Sequence, residues 1–137
     1  MIEKNPLAHA LEKVGDRWTL LVIHVLLDGE RRFNDLHSGL PGIAPNVLSQ
    51  RLKHLEREGL VVARRYSDRP VRYTYQLTAL GADLVGALRL LEQWGAQGSG
   101  GGARHHACGT PLEARWYCPT CAREVTQHEA DDVDHLL

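Results

Sequence analysis

The stretch "WTLLVIHVLL", residues 18–27, is the feature that most constrains how this chain can fold. Read as a helix, it is apolar nearly all the way round, and a helix of that kind lies in the middle of a domain. Asp16 stands just before it and is a suitable N-cap. No second ligand stands at helical spacing from His24, so we interpret that residue as a core histidine. The stretch is too short to cross a bilayer, and no membrane association is expected.

The size and composition of the chain favour one domain, or one small domain with an appendage. Of its 137 residues, 43% are hydrophobic, which excludes global disorder. The N-terminus lacks the basic segment, apolar run and cleavage site of a signal peptide, so we expect a cytoplasmic protein. In that compartment, clustered cysteines indicate metal or redox chemistry rather than disulfides.

A first helix is expected before the central one. Asn5-Pro6 is typical of an N-cap followed by proline at the first helical position, and Gly15 ends the helix after residue 14. The apolar side chains that we expect it to bury are Leu7, Leu11 and Val14.

The segment after the central helix predicts a helix-turn-helix. A short strand at 31–33 leads to a short helix capped by Asn34, and Pro41-Gly42 forces a turn. Pro45 suits the first turn of a second helix over 44–58. That helix places Val47, Leu48, Leu52 and Leu55 on a core face. Its opposite face is polar with a basic lean and carries Asn46, Ser49, Gln50, Lys53 and Arg57.

Two strands and a last helix complete the predicted domain. The segments "LVVARRY" and "VRYTYQL" alternate as strands and are joined by a loop at 67–70. Thr78 caps a helix that continues to about Trp94. Apolar residues cover more than half of its circumference, which favours a second buried face supplied by a partner chain. An ordinary amphipathic helix with two exposed leucines is the alternative.

Positive charge is concentrated on the second helix of the motif and on the hairpin after it. The whole chain has a net charge of −1, but residues 51–72 contain seven basic and three acidic side chains. This distribution of charge gives modest support for a surface that binds a polyanion.

The order of these elements is that of a winged helix-turn-helix, and several motifs carry a closer resemblance. The segments "GDRWTLLV", "RRFNDL", "LSQRLKHLEREGLV" and "YQLTALG" resemble the HxlR family of bacterial transcription regulators, relatives of the MarR group, over residues 5–95. The resemblance implies a homodimer packed through its first and last helices. It also implies that helix 44–58 enters the major groove of double-stranded DNA and that the wing, 61–77, touches the backbone or the minor groove.

Under this resemblance the polar face and the wing become DNA-binding residues. Amide and hydroxyl side chains read base edges, whereas arginine and lysine bind phosphate or guanine. The candidates are Arg32, Asn46, Ser49, Gln50, Arg51, Lys53, Arg64, Arg65, Arg69 and Arg72. Many family members carry a Cys-Pro pair where this chain has Asn5-Pro6, so their redox sensing through that cysteine does not transfer.

The last third of the chain contains a predicted zinc site. The segment "HHACGTPLEARWYCPTCAREV" has the pattern H-x2-C-x9-C-x2-C, formed by His105, Cys108, Cys118 and Cys121. Mixed Cys3His ligation suits structural zinc. His106 and His128 are alternative fourth ligands. Three reduced thiols in a flexible tail, or a redox switch at Cys118 and Cys121, are the competing interpretations.

The predicted fold is therefore mainly α with a small β hairpin, followed by a zinc-ribbon-like segment. Its predicted parts are a DNA-binding and dimerisation domain (1–96), a Gly/Ser linker (97–104), the ribbon (105–127) and an acidic tail (128–137). We expect a transcriptional regulator. A protein-interaction module with the ribbon as docking surface is the alternative, and heparin retention with steep salt dependence separates the two. No residue pattern indicates an enzyme or a small-molecule effector.

Overall fold

A computed structural model describes residues 5–97 and 99–130 of the chain. Most of the predicted acidic tail, from residue 131 onward, lies outside the described residues. Contacts divide the chain into two compact units, residues 1–88 and 89–137. The boundary falls inside the last long helix and not at the predicted linker, 97–104.

A winged helix-turn-helix fold is confirmed. The helices are α1 (Pro6–Val14), α2 (Thr19–Leu26), α3 (Phe33–Ser38), α4 (Pro45–Arg57), α5 (Ala79–Ala82) and α6 (Val85–Ala96). The strands are β1 (Arg31–Arg32), β2 (Val61–Asp68) and β3 (Val71–Leu77), which form an antiparallel sheet in the order β1-β3-β2. A β-bulge interrupts the pairing of β2 with β3 between Arg65 and Ser67.

The core packs around α2, as its sequence predicts, but one side of that helix is exposed. Val22 and Ile23 are fully buried against leucines of α3 and α4. Leu21 and His24, three residues apart, are exposed on one side of the helix. The interpretation of His24 as a core histidine is therefore wrong, because the small domain covers only part of the helix circumference.

The first helix begins and ends as predicted, but most of its apolar face is uncovered. The Asn5 side chain accepts a hydrogen bond from the Ala8 amide at 2.7 Å, as an N-cap does. Val14 is buried, whereas Leu7 and Leu11 are 68% and 50% exposed. Helical periodicity shows that the two leucines share a face, but among the described residues nothing covers most of that face.

The helix-turn-helix itself is closed by short-range contacts. Arg32, and not the predicted Asn34, is the N-cap of α3, and its amide donates to the Asp35 carboxylate at 3.3 Å. Gly42 has a φ of +91°, a conformation that favours glycine. Nε2 of His37 lies 3.1 Å from the Ile43 carbonyl, to which it donates, so the turn is tied to α3.

The predicted last helix is two helices. The Thr78 hydroxyl caps α5 by accepting from the Gly81 amide at 3.1 Å, as predicted. The helix then breaks before Val85. A Cβ on Gly81 would lie 2.2 Å from the Leu60 carbonyl oxygen, so this turn requires glycine for close packing. Gly81 and Gly86 flank the break, and glycine lowers helix propensity on both sides of it.

Asp16 connects two helices of the domain, α2 and α4. Its carboxylate accepts hydrogen bonds from the amides of Trp18 and Thr19, at 2.9 and 3.0 Å, and from the Thr19 hydroxyl. It also forms an ion pair with Nε of Arg51 in α4, at 3.4 Å. Burial acts to raise the pKa of Asp16, but the hydrogen bonds from Thr19 and Trp18 and the charge of Arg51 prevail and lower it. One carboxylate thus begins α2 and holds α4 against it.

The second unit contains a two-stranded antiparallel sheet of β4 (Trp116–Cys118) and β5 (Arg123–Val125), followed by a 3-10 turn at Gln127–Glu129. Residues of the predicted linker take part in this unit. The Arg104 guanidinium donates to the carbonyls of Gly100 and Gly109, at 3.3 and 2.9 Å, and its backbone bridges to Pro111. Within residues 5–97 and 99–130, no helix is both long and apolar enough to span a bilayer.

We predict that Asp16→Ala lowers the free energy of unfolding by about 1–3 kcal/mol, because it removes an N-cap and leaves Arg51 without its partner. Asp16→Asn should cost less, since asparagine caps helices as well as aspartate but cannot pair with Arg51. Chemical denaturation at neutral pH measures both. Equal losses in the two variants would contradict a separate role for the cap.

We also predict an acid-dependent component of stability. Because folding lowers the pKa of Asp16, its contribution is present above the ordinary value of 3.8 and is lost as pH falls through the lowered folded-state pKa. Denaturation of wild type and Asp16→Asn between neutral pH and that range should give curves that converge in acid. A constant difference between the two proteins at every pH would contradict the assignment.

Candidate nucleic-acid interface

Helix α4 has one buried face and one exposed face. Leu48, Leu52 and Leu55 are fully or almost fully buried in the core. Pro45 occupies the start of the helix, where its missing amide proton costs nothing. The core contacts fix the rotation of the helix about its axis, so the identity of its outward-facing residues is settled.

Three predicted DNA-binding residues share the outward face. Asn46, Gln50 and Lys53 are exposed, and spacings of four and three residues place them along one stripe of the helix. Their side chains supply amide donors and acceptors and one cation. These are the groups that read the edges of bases and bind phosphate.

Ser49 lies beside the stripe but is only partly exposed. Ser49 and Lys53 line a groove of about 320 Å³ between α4 and the sheet. Ala63, Tyr73 and Tyr75 line the opposite wall of this groove. The groove joins the polar face of the helix to the base of the hairpin, so the two predicted parts of the interface are continuous.

Arg51 makes a contact within the domain that the sequence did not predict. Its guanidinium pairs with Asp16, and its Nε is buried without a hydrogen-bond partner among the described residues. Spacing alone did not reveal this, because Asp16 is distant in sequence. Arg51 is therefore a stabilising contact between α4 and the start of α2 and not part of the exposed stripe.

The hairpin carries the predicted arginines along its exposed length. Arg64, Arg65, Arg69 and Arg72 are all exposed. Arg65 lies 5.8 Å from the centre of the Tyr73 ring and 3.6 Å from the Asp68 carboxylate. Hydrogen bonding to Tyr73 and Asp68 favours the charged guanidinium and raises the pKa of Arg65. Arg69 lies between the two strands, at the tip of the wing.

Arg32 lies on the edge strand β1, where it pairs with Thr74 of β3, and it stands next to α3. Its guanidinium lies over the Tyr66 ring at 4.6 Å. The two residues line a cavity of about 480 Å³ together with Arg72 and Tyr73. Tyr66 and Tyr73 therefore orient two of the predicted arginines. This role of the tyrosines was not predicted, although arginine and tyrosine alternate in the strands and that alternation was a usable signal.

The four predicted metal ligands lie in two pairs. Nδ1 of His105 is 3.2 Å from Sγ of Cys108. The Cys121 amide donates to Sγ of Cys118 at 3.4 Å. Hydrogen bonds from Thr110 lower the pKa of the Cys108 thiol, and those from Cys121 and Thr120 lower the pKa of Cys118. Within the described residues no three His, Cys, Asp or Glu side chains are gathered around one metal position, so the zinc site stays a prediction.

Comparison with known proteins places this chain among bacterial regulators. A family model described as an HxlR-like helix-turn-helix matches residues 13–100. An uncharacterised HTH-type transcriptional regulator of Mycobacterium bovis is 40% identical over 130 residues, which span 90% of this chain and 82% of the relative. The HTH-type transcriptional regulator YodB of Bacillus subtilis is 35% identical over 88 residues, or 64% of this chain and 79% of YodB.

Solved structures agree with the sequence comparison. A putative transcription factor from Pseudomonas aeruginosa has a TM-score of 0.71 at 33% identity and covers 93% of this chain and 90% of its own. A putative transcriptional regulator of the MarR family from Porphyromonas gingivalis has a TM-score of 0.66 at 28% identity and covers 72% and 96%. The chain belongs to the HxlR-like helix-turn-helix family of transcriptional regulators.

Proposed function

We propose that this chain regulates transcription as a sequence-specific homodimer on double-stranded DNA, with α4 in the major groove and the β2–β3 wing on the phosphate backbone. The observation that carries the proposal is the exposed stripe of Asn46, Gln50 and Lys53 on a helix whose opposite face is locked in the core. An α-helix fits the major groove, where amide side chains distinguish base pairs.

The interface divides into base-reading and phosphate-binding parts. Asn46, Ser49 and Gln50 present uncharged polar groups, which suit base edges. Arginines of the wing, with Arg32 and Lys53, present fixed positive charge, which suits phosphate and makes binding salt-dependent. Arg51 stays a predicted phosphate or guanine contact, because its ion pair with Asp16 uses Nε and its side chain is 34% exposed.

Two uncovered apolar faces support the homodimer. On α1, Leu7 and Leu11 are one helical turn apart and at least half exposed. On α6, Leu90, Leu91 and Trp94 are 43%, 51% and 76% exposed. Water-exposed apolar clusters of this kind mark interaction surfaces, and a second copy supplies an identical face for each.

We predict that the wild-type protein sediments as a dimer at micromolar concentration and that Leu7→Glu combined with Leu11→Glu makes it a folded monomer. Both side chains are exposed within one chain, so their replacement should not disturb the core. Leu112→Glu is the matched control, since Leu112 is also exposed, at 46%, but lies in the second unit. A monomeric wild type, or a dimeric double variant, would contradict the proposed interface.

We predict that Gln50→Ala and Arg69→Ala weaken DNA binding in different ways. Loss of a bidentate base contact by Gln50 should cost about 1–3 kcal/mol on the preferred site and relax the preference at one base pair. Loss of a phosphate contact by Arg69 should weaken all sequences alike and reduce the salt slope by about one unit. Affinities for selected and random DNA at several salt concentrations separate the two effects.

Arg115→Ala serves as the charge control, because Arg115 is an exposed arginine of β4's unit that lies outside both the proposed DNA contacts and the helices of the proposed dimer. It should leave both the affinity and the salt slope unchanged. If Gln50→Ala and Arg69→Ala behaved identically, the division into base-reading and phosphate-binding residues would be wrong. Selected sites should be inverted repeats with half-sites about one helical turn apart, or a small multiple of it.

A further inference from the structure

Residues 99–130 have regular structure without a hydrophobic core. Among them no side chain is buried, and only Ala103, Cys118 and Val125 are even partly covered. Their large apolar residues face outward: Trp116 is 58% exposed and Tyr117 is 60% exposed. A segment this short cannot gain enough from burial to hold its fold, and small domains of this kind use a metal or disulfides instead.

Polar contacts within the segment do not replace a core. Arg115 pairs with Glu113 and Glu124, and Arg123 pairs with Glu129. All of these side chains are exposed, so solvent and salt screen their attraction, and exposed ion pairs contribute little to stability. The three cysteines of the segment are free thiols, so no disulfide supplies the missing stability.

Two turns in this segment each present a pair of metal-binding side chains. In the first, His105 accepts through its carbonyl from the Gly109 amide at 2.7 Å and donates its amide to Thr110 at 2.8 Å. Gly109 completes the turn with a φ of +73°. This turn places Nδ1 of the His105 imidazole 3.2 Å from Sγ of Cys108.

The second turn connects β4 to β5 and consists of Cys118, Pro119, Thr120 and Cys121. The Cys121 amide points at Sγ of Cys118, 3.4 Å away. A backbone donor of this kind stabilises a thiolate, the form in which cysteine binds a metal. The second turn therefore repeats the arrangement of the first, with two ligands spaced by two residues.

We propose that one zinc ion joins the two turns through His105, Cys108, Cys118 and Cys121 and provides the stability that this segment lacks. Three thiolates and one imidazole are a tetrahedral donor set that zinc prefers, and four protein ligands make the site structural. The described residues do not gather the four side chains around one point, so the ion must draw the turns together as it binds. Metal binding and folding of the segment are then one event.

Metal content of the full-length, tag-free protein tests the ligand set. One zinc per chain is expected, with loss of the metal in Cys121→Ser and in His105→Ala. His106→Ala is the matched control, because His106 is an exposed neighbour outside the proposed set, and it should keep the metal. Cobalt in place of zinc should give thiolate-to-metal charge-transfer absorption that weakens in Cys121→Ser.

Hydrogen exchange before and after chelation tests whether the metal orders the segment. Removal of zinc should accelerate exchange at the amides of His105, Gly109 and Cys121, whereas amides of the α2 core should keep their protection. Absence of zinc, its retention by Cys121→Ser, or a disulfide between Cys118 and Cys121 in the native protein would each overturn the proposal. Unchanged hydrogen exchange after chelation would overturn the claim that the zinc ion stabilises the folded segment.

Discussion

The Asp16 carboxylate is the contact on which the geometry of the helix-turn-helix depends. It caps α2, the helix at the centre of the core, and it pairs with Arg51 of α4 at 3.4 Å. An aspartate that satisfies helix amides while facing an arginine has its charge doubly stabilised. This contact acts together with the buried leucines of α4, which pack against α2 in the core, to hold α4 in place.

Each side of α4 has a different task as a consequence. Leucines at 48, 52 and 55 occupy the core, and Arg51 and His54 are engaged with the segments around α1 and α2. The stripe at Asn46, Gln50 and Lys53 is left exposed. Because so many side chains of this thirteen-residue helix contact the rest of the domain, only a few remain to face a groove of DNA. In the proposed complex with DNA, sequence preference depends on those few residues.

Sequence reasoning predicted the elements well where local physics decides them. The predicted helix starts at Pro6, Pro45 and Thr78 and the predicted turn at Gly42 are all present in the structure. Sequence patterns did not predict the features that depend on contacts between residues distant in sequence. Periodicity put Leu7 and Leu11 on an apolar face but assigned that face to the core of one chain. The partner of Arg51 is 35 positions away and invisible to any helical wheel.

Two further features were not predicted because they depend on more than local sequence. They are the break between α5 and α6 and the arrangement of the metal-binding side chains in two separate pairs. A capping threonine and a run of leucines predict a helix, but the close approach of Gly81 to the Leu60 backbone is a tertiary constraint. Ligand spacing predicts which side chains a zinc ion needs, and each half of the pattern does form its own turn. Under the zinc proposal, the meeting of the two halves depends on an ion that the sequence does not contain.

The contact between His54 and Lys13 has a consequence for the spacing of operators. Nε2 of His54 in α4 donates to the Lys13 carbonyl near the end of α1, at 2.6 Å, and Lys13 also pairs with Glu58 at 3.9 Å. The two helices are therefore joined at the same place twice. In the proposed homodimer, α1 belongs to the subunit interface, so the separation of the two α4 helices would be determined there. Substitutions far from any base would then select which half-site spacing the dimer can span.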